Sequence, residues 1–362
     1  MTAIDPATHT GAIRTLAERW LPRLGDGDFV CSPAGLWLAL AAVASGARGA
    51  TAAELRGLLG VQGDGAADAT TVVGRRLGRT GGLSVATGVW SGVPVLTSFR
   101  QGLPDVGFGP LNDRAQEELD TWVRESTDGR IDRLPVGLDG TEDLVLVNAL
   151  ALKATWATRF PVEDTRPAPF TDRRGSTVDV PTMRRRIPVS RAWRVGATTV
   201  VELPCSGPEG TAARVRFVLG AEGEGPAGIL PAAWAARGRR AVEADGVDLA
   251  LPRFSLRTRT DVLGQLPALG VTRSLRPGAD FSGLSPQELF LADVVQEALV
   301  EVAEDGVEAA AVTAVVMTRS AARPRRQVIE EIVFDRPFGV VVLDGSGTVP
   351  LFAGWRSSAP TG

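Results

Sequence analysis

Residues 304–326 read EDGVEAAAVTAVVMTRSAARPRR. Two acids and a glycine open the stretch, ten uncharged residues run from Ala309 to Thr318, and four arginines fall within the next eight positions. Glu308-Ala-Ala-Ala is good helix sequence, yet a helix here would turn Val312, Val315 and Val316 to water or need a partner face. As a strand, alternate residues face opposite sides. Val307, Ala309, Ala311, Thr313, Val315 and Met317 then share one face; Glu308, Ala310, Val312, Ala314, Val316 and Thr318 share the other. Gly306 gives the entry a permissive backbone, the alanines are small enough to pass between packed neighbours, and Val312–Met317 carries β-propensity. On these residues alone both readings stay open.

The surrounding chain narrows the choice. It has 362 residues, 44% hydrophobic and 22% charged, which fits a globular protein with a sizeable core. A formal net charge of -3 gives no basic excess to hold nucleic acid. No uninterrupted apolar run of ~18 residues is present to span a membrane. The N-terminus lacks a basic start followed by an apolar run, so no secretory signal is read and a cytoplasmic location or leaderless export is expected. Lys153 is the only lysine and tyrosine is absent; the bias toward Ala, Gly and Arg points to a GC-rich bacterial genome. Cys31 and Cys205, far apart, read as buried free thiols.

Along the chain, residues 12–24 place Ile13, Leu16, Ala17, Trp20, Leu21 and Leu24 on one helical face; residues 1–11 before it are expected to be loose. Ser32-Pro33 supplies an N-cap and a first-turn proline for a helix over 34–45 that is apolar all round and so buried. Thr51-Ala-Ala-Glu54 has the spacing of a capping box. Residues 83–91 read as a strand, 112–125 as an amphipathic helix, and 143–152 as a strand buried on both faces with one asparagine, Asn148. Further strands are expected at 198–204, 214–219, 247–257, 328–334, 338–343 and 351–353, and a helical patch at 260–269. With no linker or repeat, the chain reads as one mixed α/β domain, 1–362, built on a large sheet.

Catalytic and cofactor chemistry finds little support. His9 is the only histidine, so a Ser-His-Asp or Cys-His arrangement lacks a candidate base, and metal-ligand spacing of Cys and His is missing. Neither an enzyme nor a metal or cofactor protein is expected. Gly223-Glu-Gly225-Pro-Ala-Gly228 matches a dinucleotide fingerprint, but Glu222 and Glu224 would repel a pyrophosphate and Pro226 removes an amide donor; it reads as a surface turn. Arg323-Pro-Arg325-Arg326 reads as a solvated charge run.

Several ordered motifs together resemble the serpin family, over about residues 12–360. They are Phe29-Val-Cys-Ser32-Pro33 with its buried helix; Thr51-Ala-Ala-Glu54; Leu144-Val-Leu-Val-Asn148-Ala-Leu; Lys153-Ala-Thr-Trp156 with Phe160; and Val180-Pro181-Thr-Met183. Near the C-terminus they continue with Glu304-Asp-Gly306-Val-Glu308-Ala-Ala-Ala-Val-Thr313, Phe334-Asp-Arg336-Pro337-Phe338 and Pro350-Leu-Phe-Ala-Gly354. The resemblance implies a mixed α+β fold of three β-sheets and about eight or nine helices, with residues 304–333 as an exposed reactive-centre loop region. It implies a monomeric inhibitor of serine proteases, cut as a suicide substrate, whose loop then inserts into the largest sheet. Glu304, Gly306, Val307, Glu308, Ala309, Ala310, Ala311, Val312 and Thr313 would form the hinge. Family spacing puts the scissile bond at Ser320-Ala321, for an elastase- or subtilisin-like target; one residue shorter, Arg319-Ser320, would suit a trypsin-like one. A non-inhibitory binding or structural protein of the same fold is the alternative.

Departures from the family concentrate where the sheet would open, a region comprising Ser32, Gly35, Asn148, Trp156, Gln296 and Arg253. Gly35 stands where a serine is usual and Gln296 where a histidine is usual. Gln296 still has the donors and acceptor to bond Asn148, without histidine's titration. Glu304 and Arg253 match positions that form an ion pair at the loop's entry, expected to be partly exposed and to contribute little. Val307 replaces the more usual threonine or serine.

Overall fold

Ser32 organises the centre of the molecule. Its Oγ accepts the N–H of Gly35 at 3.0 Å, starting helix α2 (Pro33–Gly46) with proline in the first turn. Every residue of α2 but Ser45 is buried, as expected for a helix apolar on all sides. The computed structural model describes residues 6–61, 65–133, 138, 142–307 and 327–360. Within them the other helices are α1 (Pro6–Trp20), α3 (Gly49–Leu59), α4 (Ala66–Leu77), α5 (Thr97–Gly102), α6 (Ala115–Ser126) and α7 (Pro226–Ile229). The strands in chain order are β1 (Phe29–Cys31), β2 (Leu83–Ser91), β3 (Gly107–Pro110), β4 (Leu144–Leu152), β5 (Ala154–Thr155) and β6 (Arg166–Thr171). They continue with β7 (Thr177–Ile187), β8 (Ala192–Val195), β9 (Thr198–Pro204), β10 (Arg214–Leu219), β11 (Arg239–Ala241) and β12 (Gly246–Pro252). The last are β13 (Phe254–Asp261), β14 (Leu291–Val302), β15 (Gly306–Val307), β16 (Ile329–Val333), β17 (Phe338–Leu343) and β18 (Pro350–Arg356).

Three sheets result. The large sheet runs β3-β2-β4-β14-β15-β5, with β13 also paired to β14. A back sheet runs β1-β18-β17-β10-β9-β8-β11, and a small one β16-β12-β7-β6. α2 lies between the large and back sheets, against β2, β4 and β18. On the opposite face of the large sheet, α6 buries Ala115, Leu119 and Val123 against Ala86, Trp90, Val145, Val147, Ala149 and Val295. With a helix on each face, all nine residues of β4 are buried, which is why it reads as an unbroken apolar run. Phe170, Phe217, Phe254, Phe334 and Phe338 pack edge-to-face at the junction of the sheets.

Three expectations need correction. The first helix begins at Pro6, so the stretch expected to be loose up to residue 11 is helical from there. His9 is buried, its ring 5.3 Å from that of Trp37. Thr51 and Glu54 do not form a capping box. Thr51 Oγ1 accepts the N–H of Asp280, and the Glu54 carboxylate accepts the N–H groups of Thr272 and Arg273, so a distant loop takes both side chains. The helical patch at 260–269 is split: β13 runs to Asp261, and only Leu263–Leu269 is helical, as a 3-10 segment. Cys31 and Cys205 are free and buried, and burial pushes the Cys205 thiol up to about 12 and raises that of Cys31, so neither is a ready thiolate. Glu222 and Gly223 form a turn before the short α7, outside any βαβ unit.

Candidate functional site: a closed seam with a hinge at its mouth

β4 and β14 pair directly and in parallel, Val145 opposite Asp293 through Ala151 opposite Leu299. No strand lies between them over this length. Beyond Leu152 the chains part, because β5 turns away, and the opening is filled by β15. Val307 pairs antiparallel with Val302 of β14 and with Ala154 of β5; Gly306 pairs with Thr155. The Val307 side chain is 0% exposed. A Cβ on Gly306 would lie 2.2 Å from the Ala154 carbonyl oxygen, so only glycine permits this close approach. Gly306 and Val307 therefore contribute two residues of strand to the sheet. Of the residues expected to form the hinge, Glu304, Gly306 and Val307 lie at this mouth. Glu308, Ala309, Ala310, Ala311, Val312 and Thr313, with Arg319, Ser320 and Ala321 of the expected scissile region, lie outside the described residues.

A polar lock ties the mouth to its surroundings. Trp156 donates from Nε1 to the Ala303 carbonyl at 2.8 Å and from its backbone N–H to Asp305 O at 2.9 Å. The backbone N–H of Phe160 donates to Glu304 O at 3.0 Å, and Arg159 pairs with Asp305 at 3.3 Å. The Glu304 carboxylate, 5% exposed, accepts from Arg253 and from Thr165 Oγ1. Burial alone would raise this carboxyl; the hydrogen bonds from Arg253 and Thr165 outweigh it and hold Glu304 below the usual glutamate range. The expected Glu304–Arg253 pair is present. It is more than a surface contact, since its carboxylate is buried although Arg253 is not.

A second cluster crosses the seam midway. Gln296 Nε2 donates to Asn148 Oδ1 at 3.3 Å and to the Ser32 carbonyl at 2.9 Å, while its Oε1 accepts the Ser32 N–H at 2.6 Å. Asn148 Nδ2 donates to Thr87 Oγ1 at 3.1 Å and to the Ala86 carbonyl at 3.3 Å. Ser32 Oγ in turn donates to the Leu351 carbonyl at 2.6 Å. One uncharged network thus joins β2, β4, β14, α2 and β18, its buried amides satisfied. Gly35 explains how Asn148 fits: a Cβ there would lie 1.9 Å from Asn148 Oδ1. The glycine and the amides form one arrangement, with the asparagine occupying the space a serine would need.

The structure brings Ser32, Gly35, Asn148 and Gln296 together in one cluster and Trp156, Arg253, Glu304, Gly306 and Val307 in the other. Sequence reading missed Thr87, Arg159 and Thr165. Thr165 lies 139 positions from Glu304 and stands in no motif that could have pointed to it.

Comparisons with known proteins agree with this geometry. The family model described as Serpin (serine protease inhibitor) matches residues 13–358. Serpin-Z2B of Oryza sativa subsp. japonica is 30% identical, covering 97% of this chain and 97% of its own. The leukocyte elastase inhibitor of Sus scrofa is 30% identical over 71% of this chain and 69% of its own. The crystal structure of Serpin48 from the insect Tenebrio molitor superposes with a TM-score of 0.82 at 25% identity, covering 98% of each chain. These relatives come from a plant, a mammal and an insect, so the bacterial origin suggested by composition finds no support in them.

Proposed function

The chain belongs to the serpin family, and we propose that it inhibits serine proteases as a suicide substrate. In this reading the protease serine attacks a carbonyl in the loop between β15 and β16. The peptide C–N bond breaks, the new amine takes the proton, and an acyl-enzyme forms. The freed segment then enters the seam between β4 and β14 and carries the linked protease with it. The observation that carries the proposal is the hinge: Gly306 and Val307 already run antiparallel to the strands on either side, at the one end of the seam that is open. Entry would extend an existing ladder rather than nucleate a new one. The loop chemistry supports the same reading, since Ala309–Thr318 carries no charge that would have to be buried.

Family spacing places the scissile bond at Ser320-Ala321, with Arg319-Ser320 as the alternative. The first fits a small specificity pocket of elastase or subtilisin type, the second a trypsin-like one. A panel of such proteases, read for complexes that survive SDS and with mass spectrometry of the released peptide, tests both inhibition and bond. Clean cleavage with full protease turnover would sink the proposal. The second reading, a non-inhibitory serpin-fold binding protein, is favoured by the well-bonded Gln296–Asn148–Ser32 cluster, which holds the seam shut. Nicking the loop separates the two: insertion raises the unfolding midpoint strongly, whereas a loop that stays outside leaves it unchanged.

A further inference from the structure

Gly223-Glu-Gly225, the surface turn that mimics a dinucleotide fingerprint, forms one wall of an open cleft of about 740 Å³. That volume is in the range of small-molecule sites. The turn between β6 and β7 and the segment Asp335–Pro337 make the other walls, and Trp355 of β18 lies at the floor. No residue of the seam, of the lock at its mouth or of the Asn148 cluster lines it.

Rim and floor differ in chemistry. At the rim Asp26, Glu222 and Glu224 are exposed, as is Arg173, whose Nη2 pairs with Asp26 at 2.6 Å. Glu224 Oε2 accepts the N–H of Ala221 at 2.9 Å, and Glu222 has no partner among the described residues. With Asp172 and Asp335 the lining holds five carboxylates against two guanidinium groups, Arg173 and Arg336, three negative charges in excess. Among the described residues no three such side chains are arranged to hold a metal ion. The rim therefore calls for an organic cation carried on a chain long enough to reach it.

The floor calls for the opposite sign. Arg336 spends Nη1 on Asp335 at 3.1 Å and Nη2 on the Gly220 carbonyl at 3.0 Å, while its buried Nε–H meets no acceptor. Trp355 is 1% exposed, and its Nε1–H meets none either. Buried donors are nearly always paired, so two unmet donors in one lining set what the floor accepts. A carboxylate has lone pairs for both, and the guanidinium charge favours it there. Asp335 stands beside Arg336 with Oδ2 unbonded among the described residues, where it can take an ammonium. A group with a carboxylate and an ammonium on one carbon fits this floor; a cationic side chain on the same carbon reaches the rim.

We propose that the cleft binds a basic α-amino acid, free or as the C-terminal residue of a peptide. Its carboxylate lies on the donors of Arg336 and Trp355, and its side-chain cation lies between Glu222 and Glu224. The site stands apart from the proposed inhibition and does not depend on it.

Calorimetric titration of the full chain with L-arginine tests the proposal, and saturable binding of one molecule per chain is expected. Agmatine, which lacks the carboxylate, and L-citrulline, which lacks the side-chain charge, should each bind about 10-fold more weakly. Glu222→Gln combined with Glu224→Gln should weaken L-arginine by a similar factor and leave L-citrulline unchanged. Both side chains are exposed, so the unfolding midpoint without ligand should not move. Trp355→Phe removes one floor donor and should weaken L-arginine and L-citrulline alike; if that variant folds poorly, the paired glutamine variant still decides. Glycyl-L-arginine identifies the source. Binding as tight as that of L-arginine assigns the site to a peptide C-terminus, and weaker binding assigns it to the free amino acid, whose ammonium Asp335 takes. The proposal is overturned by any of three results: no saturable binding of either arginine ligand, agmatine binding as tightly as L-arginine, or L-arginine affinity unchanged by the two glutamine substitutions.

Discussion

β4 and β18 are both strands in which every residue is buried, and each pairs with another long strand, yet the two joints are built differently. β18 and β17 form an antiparallel hairpin closed by a short turn through Asp344–Val349. β17 is wholly apolar, and Phe338 at its start stacks on Phe170, Phe254 and Phe334. β4 meets β14 in parallel, from a distant part of the chain, and parallel pairing is slightly weaker per residue. β14 brings Gln296, and also Glu297, only 2% exposed, whose Oε2 lacks a hydrogen-bond partner among the described residues. It brings Asp293 as well, whose carboxyl is raised by burial and by the nearby Asp261 and Glu142. The first joint is apolar along β17, and its unsatisfied groups, Trp355 Nε1 and Arg356 Nε, are confined to the end of β18. The second carries polar and charged groups in its middle, Gln296 satisfied by Ser32 and Asn148 and Glu297 ion-paired with Arg257 through its other oxygen.

The comparison can be broken at either joint. Phe338→Ala should cost roughly 3–5 kcal/mol by cavity formation, and equally in the intact and nicked protein, because the back sheet is the same in both; denaturant unfolding of the two forms measures it. A loss confined to one form would show that the back sheet takes part in opening. Gly35→Ser should behave in the opposite way. Its Cβ would overlap Asn148 Oδ1, at a cost of about 1–3 kcal/mol by overpacking. On the proposed mechanism the cost should fall on the intact form and shrink after nicking, because a strand entering beside Asn148 would draw its amide away from Gly35. Equal losses in both forms would mean that the asparagine does not move. The smallest effect concerns neither joint. His9 is buried with neither ring nitrogen hydrogen-bonded, and burial lowers its pKa. The folded state then binds fewer protons than the unfolded chain, so stability is full above the ordinary histidine range and declines as pH falls below about 6.5. Tryptophan fluorescence during unfolding at pH 7 and at pH 5.5 should show the decline, and His9→Phe should reduce it. Gln296, being uncharged, adds no such dependence at the seam.

Local pattern made the scaffold legible. β4 and α2 were readable from an unbroken apolar run and a serine-proline start, and the Gln296–Asn148 bond was expected from the family's polar cluster together with the donors and acceptor of the two amides. The failures share one cause. Thr51 and Glu54 fit a capping box, but residues 272–280, far off in sequence, compete for the same side chains and win. His9 seemed to sit in a loose end because nothing local announces that Trp37 will cover it. The seating of Val307 depends on where β5 turns away from β14, which no local periodicity records, and Gly35 became meaningful only with the position of Asn148.

The single exposed lysine has a practical consequence. Acylating dyes aimed at amines have one side-chain target in this protein besides the α-amino group of the chain. That target stands at the mouth of the seam, three positions from Trp156, a natural quencher. A fluorophore placed there in one chemical step would test in real time whether nicking is followed by the proposed insertion. It would also remove the ammonium charge, so a charge-retaining methylated preparation serves as the control, without altering the gene.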